Sequence, residues 1–126
     1  MQPFASRNVF GEELEPCGRD PVTGFYRDGR CATGHDDTGI HTVCAEVTQA
    51  FLDYSLAQGN DLVTPMEAFG FPGLKPGDRW CLCAGRWVEA YRAGVAPGVY
   101  LRATHEETMA IIPLDVLQAH ARDPAE

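Results

Sequence analysis

The sequence predicts an α+β fold, a small two-layer arrangement in which a short β-sheet has helices packed on it, with a loop-rich N-terminal part. Three observations lead there. Hydrophobic, charged and aromatic residues make up 44%, 22% and 10% of the 126 positions, the proportions of an ordinary folded domain. Thirteen Gly and nine Pro promise many turns. After a front without regular periodicity, short apolar segments of period 3.6 and period 2 succeed one another. A chain of this length buries about two-thirds of the surface its unfolded form exposes, enough for a core of its own. Residues 1–7 read as a flexible tail and 8–126 as one globular domain, with no internal repeat or linker to divide it.

Taken in order, Val9 and Phe10 start a short strand, and an acidic loop follows from Glu12 to Asp20. Asp28-Gly29, between Phe25-Tyr26-Arg27 and Arg30-Cys31, suits a hairpin turn that needs positive φ. The loop Thr33–Gly39 then feeds a long amphipathic helix. Val43, Val47, Ala50, Phe51 and Tyr54 form its stripe, Thr38 or Asp37 caps it, and Gly59-Asn60 ends it. Residues 60–73 read as surface loop, and Lys75-Pro76-Gly77-Asp78 as a type II turn. Arg79–Cys83 is a strand with Trp80 and Leu82 on one face and both cysteines on the other. A helix with Trp87, Ala90 and Tyr91 on one side stops at Gly94, and Val99–Ala103 is the next strand. Thr104 and Glu107 fit a capping box for a short helix through Met109. A strand at Ile111-Ile112 and a helix with Leu114, Leu117 and Ala121 complete the chain.

A formal charge of −8, from 18 acidic and 10 basic residues, disfavours phosphate backbones and anionic lipid. No apolar run reaches the roughly 20 residues of a membrane span, and the N-terminal stretch lacks a secretory h-region. The expectation is a soluble, cytoplasmic protein with no nucleic-acid or membrane partner, whose ligand is a small molecule or a second copy of itself. Dinucleotide, P-loop, hydrolase-elbow and zincin motifs do not occur.

Five cysteines remain: Cys17, Cys31, Cys44, Cys81 and Cys83. An odd number without an export signal argues against a complete disulfide framework. His41 and Cys44, three apart at the expected helix start, share a face there. Cys81 and Cys83, two apart on the expected strand, share another. His41, Cys44, Cys81 and Cys83 would make a tetrahedral Cys₃His set that suits zinc, with Cys17 and Cys31 as substitute ligands. The same residues have a reading without metal. Cys44 in a first helical turn is a candidate nucleophile with His41 as its base, and Cys81 or Cys83 as a resolving thiol. The plainer alternative is that the cysteines only fill the core.

Other polar groups carry less. Asp36 and Asp37 lack calcium-loop spacing and read as helix caps, and His105 as a solvated first-turn histidine. His120 answers the dipole of the last helix. Arg27, Arg30, Arg79 and Arg86 are candidates to hold an anion, with Arg79 and Arg86 the better two because they flank the cysteine strand.

The stretches DPVTGFYRDGRC (20–31), GIHTVCAEVTQAFLDYS (39–55), GNDLVTP (59–65), FGFPGLKPGDRWCLCAGRW (69–87) and AGVAPGVYLRATHE (93–106) resemble an uncharacterised bacterial family, domain-of-unknown-function family twenty-two thirty-seven. The resemblance runs from about Asn8 to Ala121. It implies a small cytosolic α/β two-layer fold and supplies no activity, substrate or catalytic residue. Two readings therefore stand: a metal- or thiol-dependent site joining a helix start to the Cys-x-Cys strand, or a binding module presenting Phe25, Tyr26, Phe69 and Phe71.

Overall fold

The computed structural model describes residues 6–19 and 21–123, apart from the Phe69 side chain. Of the tail expected at 1–7, residues 1–5 lie outside the described residues, while Arg7 pairs with Glu13 in an isolated bridge. The order is β1 (His41–Glu46), α1 (Gln49–Ala57), β2 (Arg79–Cys83), α2 (Ala84–Arg92), β3 (Gly98–Val99) and α3 (Leu114–Ala119), with short 3₁₀ turns at Glu67–Phe69, Leu101–Ala103 and Glu106–Ala110. The strands form one antiparallel sheet in the order β2-β1-β3. This is the small α+β fold that the sequence predicts.

The largest departure is at β1. The helix expected to start at Thr38 or Asp37 is instead a six-residue strand, and helix begins only at Gln49. Val43 and Val47 satisfy two periods at once. Spaced four apart they fit a helix stripe, yet Val43, Ala45 and Val47 also alternate with Thr42, Cys44 and Glu46 as in a strand. Tertiary pairing decides between them, because β1 is the central strand with neighbours on both edges. Thr48 then supplies the helix start that Thr38 does not, its hydroxyl accepting from Phe51 N at 3.1 Å. The helix ends where expected, with Gly59 at φ +88.

β2 forms as the sequence predicts. The turn before it closes through Asp78 N donating to Lys75 O at 3.0 Å, with Gly77 at φ +95. Trp80 and Leu82 join the main core, while Cys81 belongs to a second cluster on the opposite face. In the main core Val43, Ala45 and Val99 from the sheet meet Phe51 and Leu52 of α1, Trp87 and Ala90 of α2, and Leu117 of α3. Each fully buried large side chain contributes about 1.5–3 kcal/mol by leaving water. Trp87 is wholly buried and its indole N–H donates to Pro97 O at 3.1 Å, so its one polar atom is satisfied.

Loops cover the other face. The Asp28-Gly29 hairpin does not form; Arg30 N donates to the Asp28 carboxylate at 3.0 Å, and Gly29 O receives Cys17 N and Gly18 N, folding residues 17–30 into a compact loop. The capping box at Thr104 is also replaced. His105 is the cap, its Nδ1 accepting from Glu107 N at 3.0 Å, and it is fully buried rather than solvated. Thr104 instead faces inward, its hydroxyl accepting from Cys44 N and donating to Tyr100 O. Of the strand expected at Val99–Ala103 only Val99 is in one, as the last residue of β3; Leu101–Ala103 turns into 3₁₀ helix, and the Ile111-Ile112 strand is absent.

Replacing Thr48 by Ala removes the α1 cap without touching the core, and should cost about 0.5–2 kcal/mol in a denaturant titration with an unchanged m-value.

Candidate functional site

The pairing register sets where the cysteines go. Cys44 on β1 stands opposite Cys81 on β2, both on the loop-covered face. Each captures one loop cysteine: Cys17 is joined to Cys44 and Cys31 to Cys81. The four form one buried cluster with Ala103, and Tyr100 packs on its edge. The sulfurs of Cys17, Cys31 and Cys81 lie within 4.8 Å of one another. Backbone amides next to the sulfurs are held by threonines, Cys81 N on Thr23 Oγ1 at 2.7 Å and Cys44 N on Thr104 Oγ1 at 3.1 Å. The cross-links close sequence separations of 27 and 50 residues. In the chain-entropy account each such closure removes about 3–4 kcal/mol of freedom from the unfolded chain.

Cys83 is the free cysteine. It stands opposite His41 in the β1–β2 register, beyond a bulge between His41 and Val43. It is also the N-cap residue of α2, and its sulfur lies 3.9 Å from where a Cβ on Gly85 would sit, over the first turn. Unpaired amides at such a position favour negative charge.

His41 is fixed from three sides. Its Nδ1 is 2.7 Å from Asp37 Oδ1, and its backbone N–H donates to Asp37 Oδ2 at 2.9 Å. The Asp37 side chain is completely buried, and Thr33 Oγ1 supplies a third donor at 3.0 Å. Phe25 stacks on the imidazole with centroids 5.9 Å apart. On the remaining side Gly39 lets the ring approach, since a Cβ there would sit 2.6 Å from His41 Cε1. With an ionised Asp37 on Nδ1, the proton is assigned to that nitrogen, which leaves Nε2 as the acceptor.

His41, Cys83, Phe25, Arg27, Trp80 and Arg86 line one cleft of about 490 Å³. Two of its supports are strained. Ile40, directly before His41, holds φ +52, and Arg27 holds φ +55. A β-branched residue there costs on the order of 1–3 kcal/mol, and such strain persists only where surrounding structure imposes it. Arg27 lies 5.2 Å from the Trp80 ring and donates to Gly24 O, and among the described residues no carboxylate pairs with it. Arg86 makes a partly exposed pair with Glu89 at 3.3 Å. Next to the cleft, Tyr26 donates to Asp36 at 2.8 Å; desolvation, that hydrogen bond and the charges of Asp36, Asp37 and Asp28 push its phenol up to about 12.

The expected quartet is thus divided. Cys44 and Cys81 enter the disulfide cluster, Cys81 also lining the cleft, whereas His41 and Cys83 are register partners in the cleft wall. His41 and Cys44 do not share a helix face, because both lie on a strand; the bulge after His41 places it opposite Cys83 while Cys44 stands opposite Cys81. Of the two better arginines, Arg86 lines the cleft, while Arg79 lies 3.8 Å over the Tyr100 ring. Tyr100 also donates to Glu46, and that bond foremost, with burial, raises its phenol. Asp37, expected as a helix cap, caps no helix: its carboxylate holds the imidazole. Its signal was the spacing Asp37-x-x-x-His41 across a glycine-containing loop. Among the proposed docking aromatics, Phe25 stacks on His41 and Phe71 packs on Trp80, while the Phe69 side chain lies outside the described residues.

Residues 7–121 match the family DUF2237, described as uncharacterized proteins conserved in bacteria. The chain belongs to this family. No curated protein is significantly similar to it. The family description assigns no activity, so the chemistry of this DUF2237 protein rests on its cleft and its cysteine cluster.

Two outcomes follow from this geometry. Non-reducing peptide mapping of the air-oxidised DUF2237 protein should return Cys17 linked to Cys44 and Cys31 linked to Cys81, with Cys83 in a linear peptide. Asp37→Ala strands the Thr33 hydroxyl and the His41 donors, and should cost about 1–3 kcal/mol by thermal or chemical unfolding.

Proposed function

We propose that this DUF2237 protein is thiol-dependent, with Cys83 as its working group and a small anionic molecule as its ligand. The observation that carries this reading is the juxtaposition, in one cleft, of a free thiol and an imidazole held by a buried carboxylate. In the step that fits these groups, the Cys83 sulfur attacks an electrophilic carbon of the bound anion. The S–H proton passes to His41 Nε2 as the S–C bond forms, and the bond to the leaving group breaks with its electron pair. His41 then returns the proton to that leaving group. Asp37 keeps the imidazole in the tautomer and orientation the transfer needs. Arg27, without a carboxylate partner among the described residues, and Arg86 give an otherwise acidic protein a positive cleft, which supports an anionic ligand.

Cytoplasmic placement is part of the same proposal, since a reducing compartment keeps a solvent-facing thiol available. Among the described residues no helix is long and apolar enough to cross a membrane.

Iodoacetate and iodoacetamide are suitable probes, because both alkylate thiols with loss of iodide and only the first is an anion. Alkylation of the oxidised protein should fall on Cys83 alone. The rate with iodoacetate relative to iodoacetamide, normalised to glutathione at the same pH, should exceed one. Arg27→Ala should erase that preference, and His41→Ala should slow both reagents by about tenfold or more, the low side of what a positioned base supplies. A Cys83 that reacts no faster than glutathione, without charge preference, would leave the cleft a binding groove and end the catalytic reading.

A further inference from the structure

We propose that the four buried cysteines form a second site, adjoining the cleft through Cys81, which lines both: in its reduced state, the cluster of Cys17, Cys31, Cys44 and Cys81 binds one zinc ion. Sulfurs at 2.3 Å from a tetrahedral zinc lie about 3.8 Å from one another. Cys17, Cys31 and Cys81 already place theirs within 4.8 Å, and the Cys44 sulfur, outside that trio, is bonded to the Cys17 sulfur. Side-chain rotations that bring the Cys44 sulfur toward the other three separate the oxidised arrangement from a tetrahedron. The donors come from three parts of the chain: Cys44 and Cys81 from paired strands, and Cys17 and Cys31 from the front loop. An all-thiolate set suits zinc better than the hard cations.

The surroundings fit such a centre. Zinc with four thiolates carries a net charge of −2, which needs compensation when buried. Arg19 and Arg79 line the same surface opening as Cys17, a hollow of about 340 Å³ to which Asp78 contributes one opposing charge.

The two states are linked by a balanced exchange. Two molecules of a dithiol reductant supply four electrons and four protons, each closing to its own disulfide, and the two protein disulfides become four thiols. Zinc then binds as the four thiols ionise, releasing up to four protons. A small-molecule disulfide reverses the exchange: two molecules accept the four electrons, each becoming two thiols, as the metal is expelled and the protein disulfides re-form. The device thus makes zinc content a function of redox state, while Cys83 stays outside it.

The test uses the full chain, reduced with dithiothreitol, freed of reductant without oxygen, and titrated with Co²⁺ and then Zn²⁺. Expected are one Co²⁺ per chain with the intense visible bands of tetrahedral thiolate coordination, and its displacement by Zn²⁺. Ellman's reagent should then find one fast thiol and four slow ones. The oxidised protein should take up no metal. Cys83→Ser should bind as the parent does, and Cys31→Ser should lower affinity by at least about tenfold. If reduction unfolds the chain, recovery of native circular dichroism on adding Zn²⁺ supports the site equally. Absence of metal uptake by the reduced chain, folded or not, overturns the proposal. So does uptake that survives Cys31→Ser but is lost in Cys83→Ser or His41→Ala, which would put the ion in the cleft.

Discussion

The architecture turns on one cross-strand pair. Cys44 and Cys81 stand opposite each other on the sheet face that the helices do not cover, and each is bonded to a cysteine of the loop-rich front. Helix-facing residues of the same strands need no such device, because Val43, Ala45, Trp80 and Leu82 pack against three helices. Among the described residues, the other face has neither a helix layer nor a second sheet to bury it. The loop between Cys17 and Cys31 carries little regular hydrogen bonding, and its ordering entropy is large for the apolar area it covers. Tying it to two adjacent strand positions keeps that face dry. Asn8 adds to the same layer: its side chain, fully buried, accepts from Phe10 N and Glu12 N and donates to Arg102 O.

Strand alternation and the odd cysteine then determine the cleft. Cys83 is two residues past Cys81, at the end of β2, where the strand passes directly into α2. Opposite it the chain must bring in His41 after a loop that makes no ladder, and it does so through a left-handed Ile40 and a bulge. Asp37 stabilises that entry with both carboxylate oxygens, one on the His41 backbone and one on its ring. The strain at Ile40 and the precise hold on His41 are therefore two aspects of one local structure. A glycine at position 40 would relieve the backbone, whereas isoleucine also packs its side chain against the core.

Much of the second half of the chain was legible in the sequence, since its signals are local. The Lys75–Asp78 turn, β2 with its two faces, α2 and its Gly94 stop, and the end of α1 at Gly59 each depend on residues within a few positions. Residues 41–47 misled because valines at 43 and 47 fit either period, and only strand partners far along the chain resolve the ambiguity. The quartet failed for a different reason: Cys44 and Cys81 are each bonded to a loop cysteine, Cys17 and Cys31, which leaves His41 and Cys83 as a register pair beyond the bulge. Cys81 and Cys83 were assigned to one strand face correctly, but which loop cysteine meets which strand cysteine is not a property of spacing. Thr104 and His105 exchange roles because Thr104 is drawn inward to the Cys44 amide. That partner is 60 residues away in sequence and invisible to a capping motif.

The account rests on a division of the five cysteines into a buried four and an accessible one, whether the four are held as disulfides or by a metal. Differential labelling tests this division directly: N-ethylmaleimide on the native protein, then unfolding, reduction, chelation and a second, isotopically distinct maleimide, read by peptide mass spectrometry. The first label should appear on Cys83 alone, and the second on Cys17, Cys31, Cys44 and Cys81. First-label signal on any of those four in the native fold, or protection of Cys83 together with them, would contradict the division and the cleft and cluster built on it.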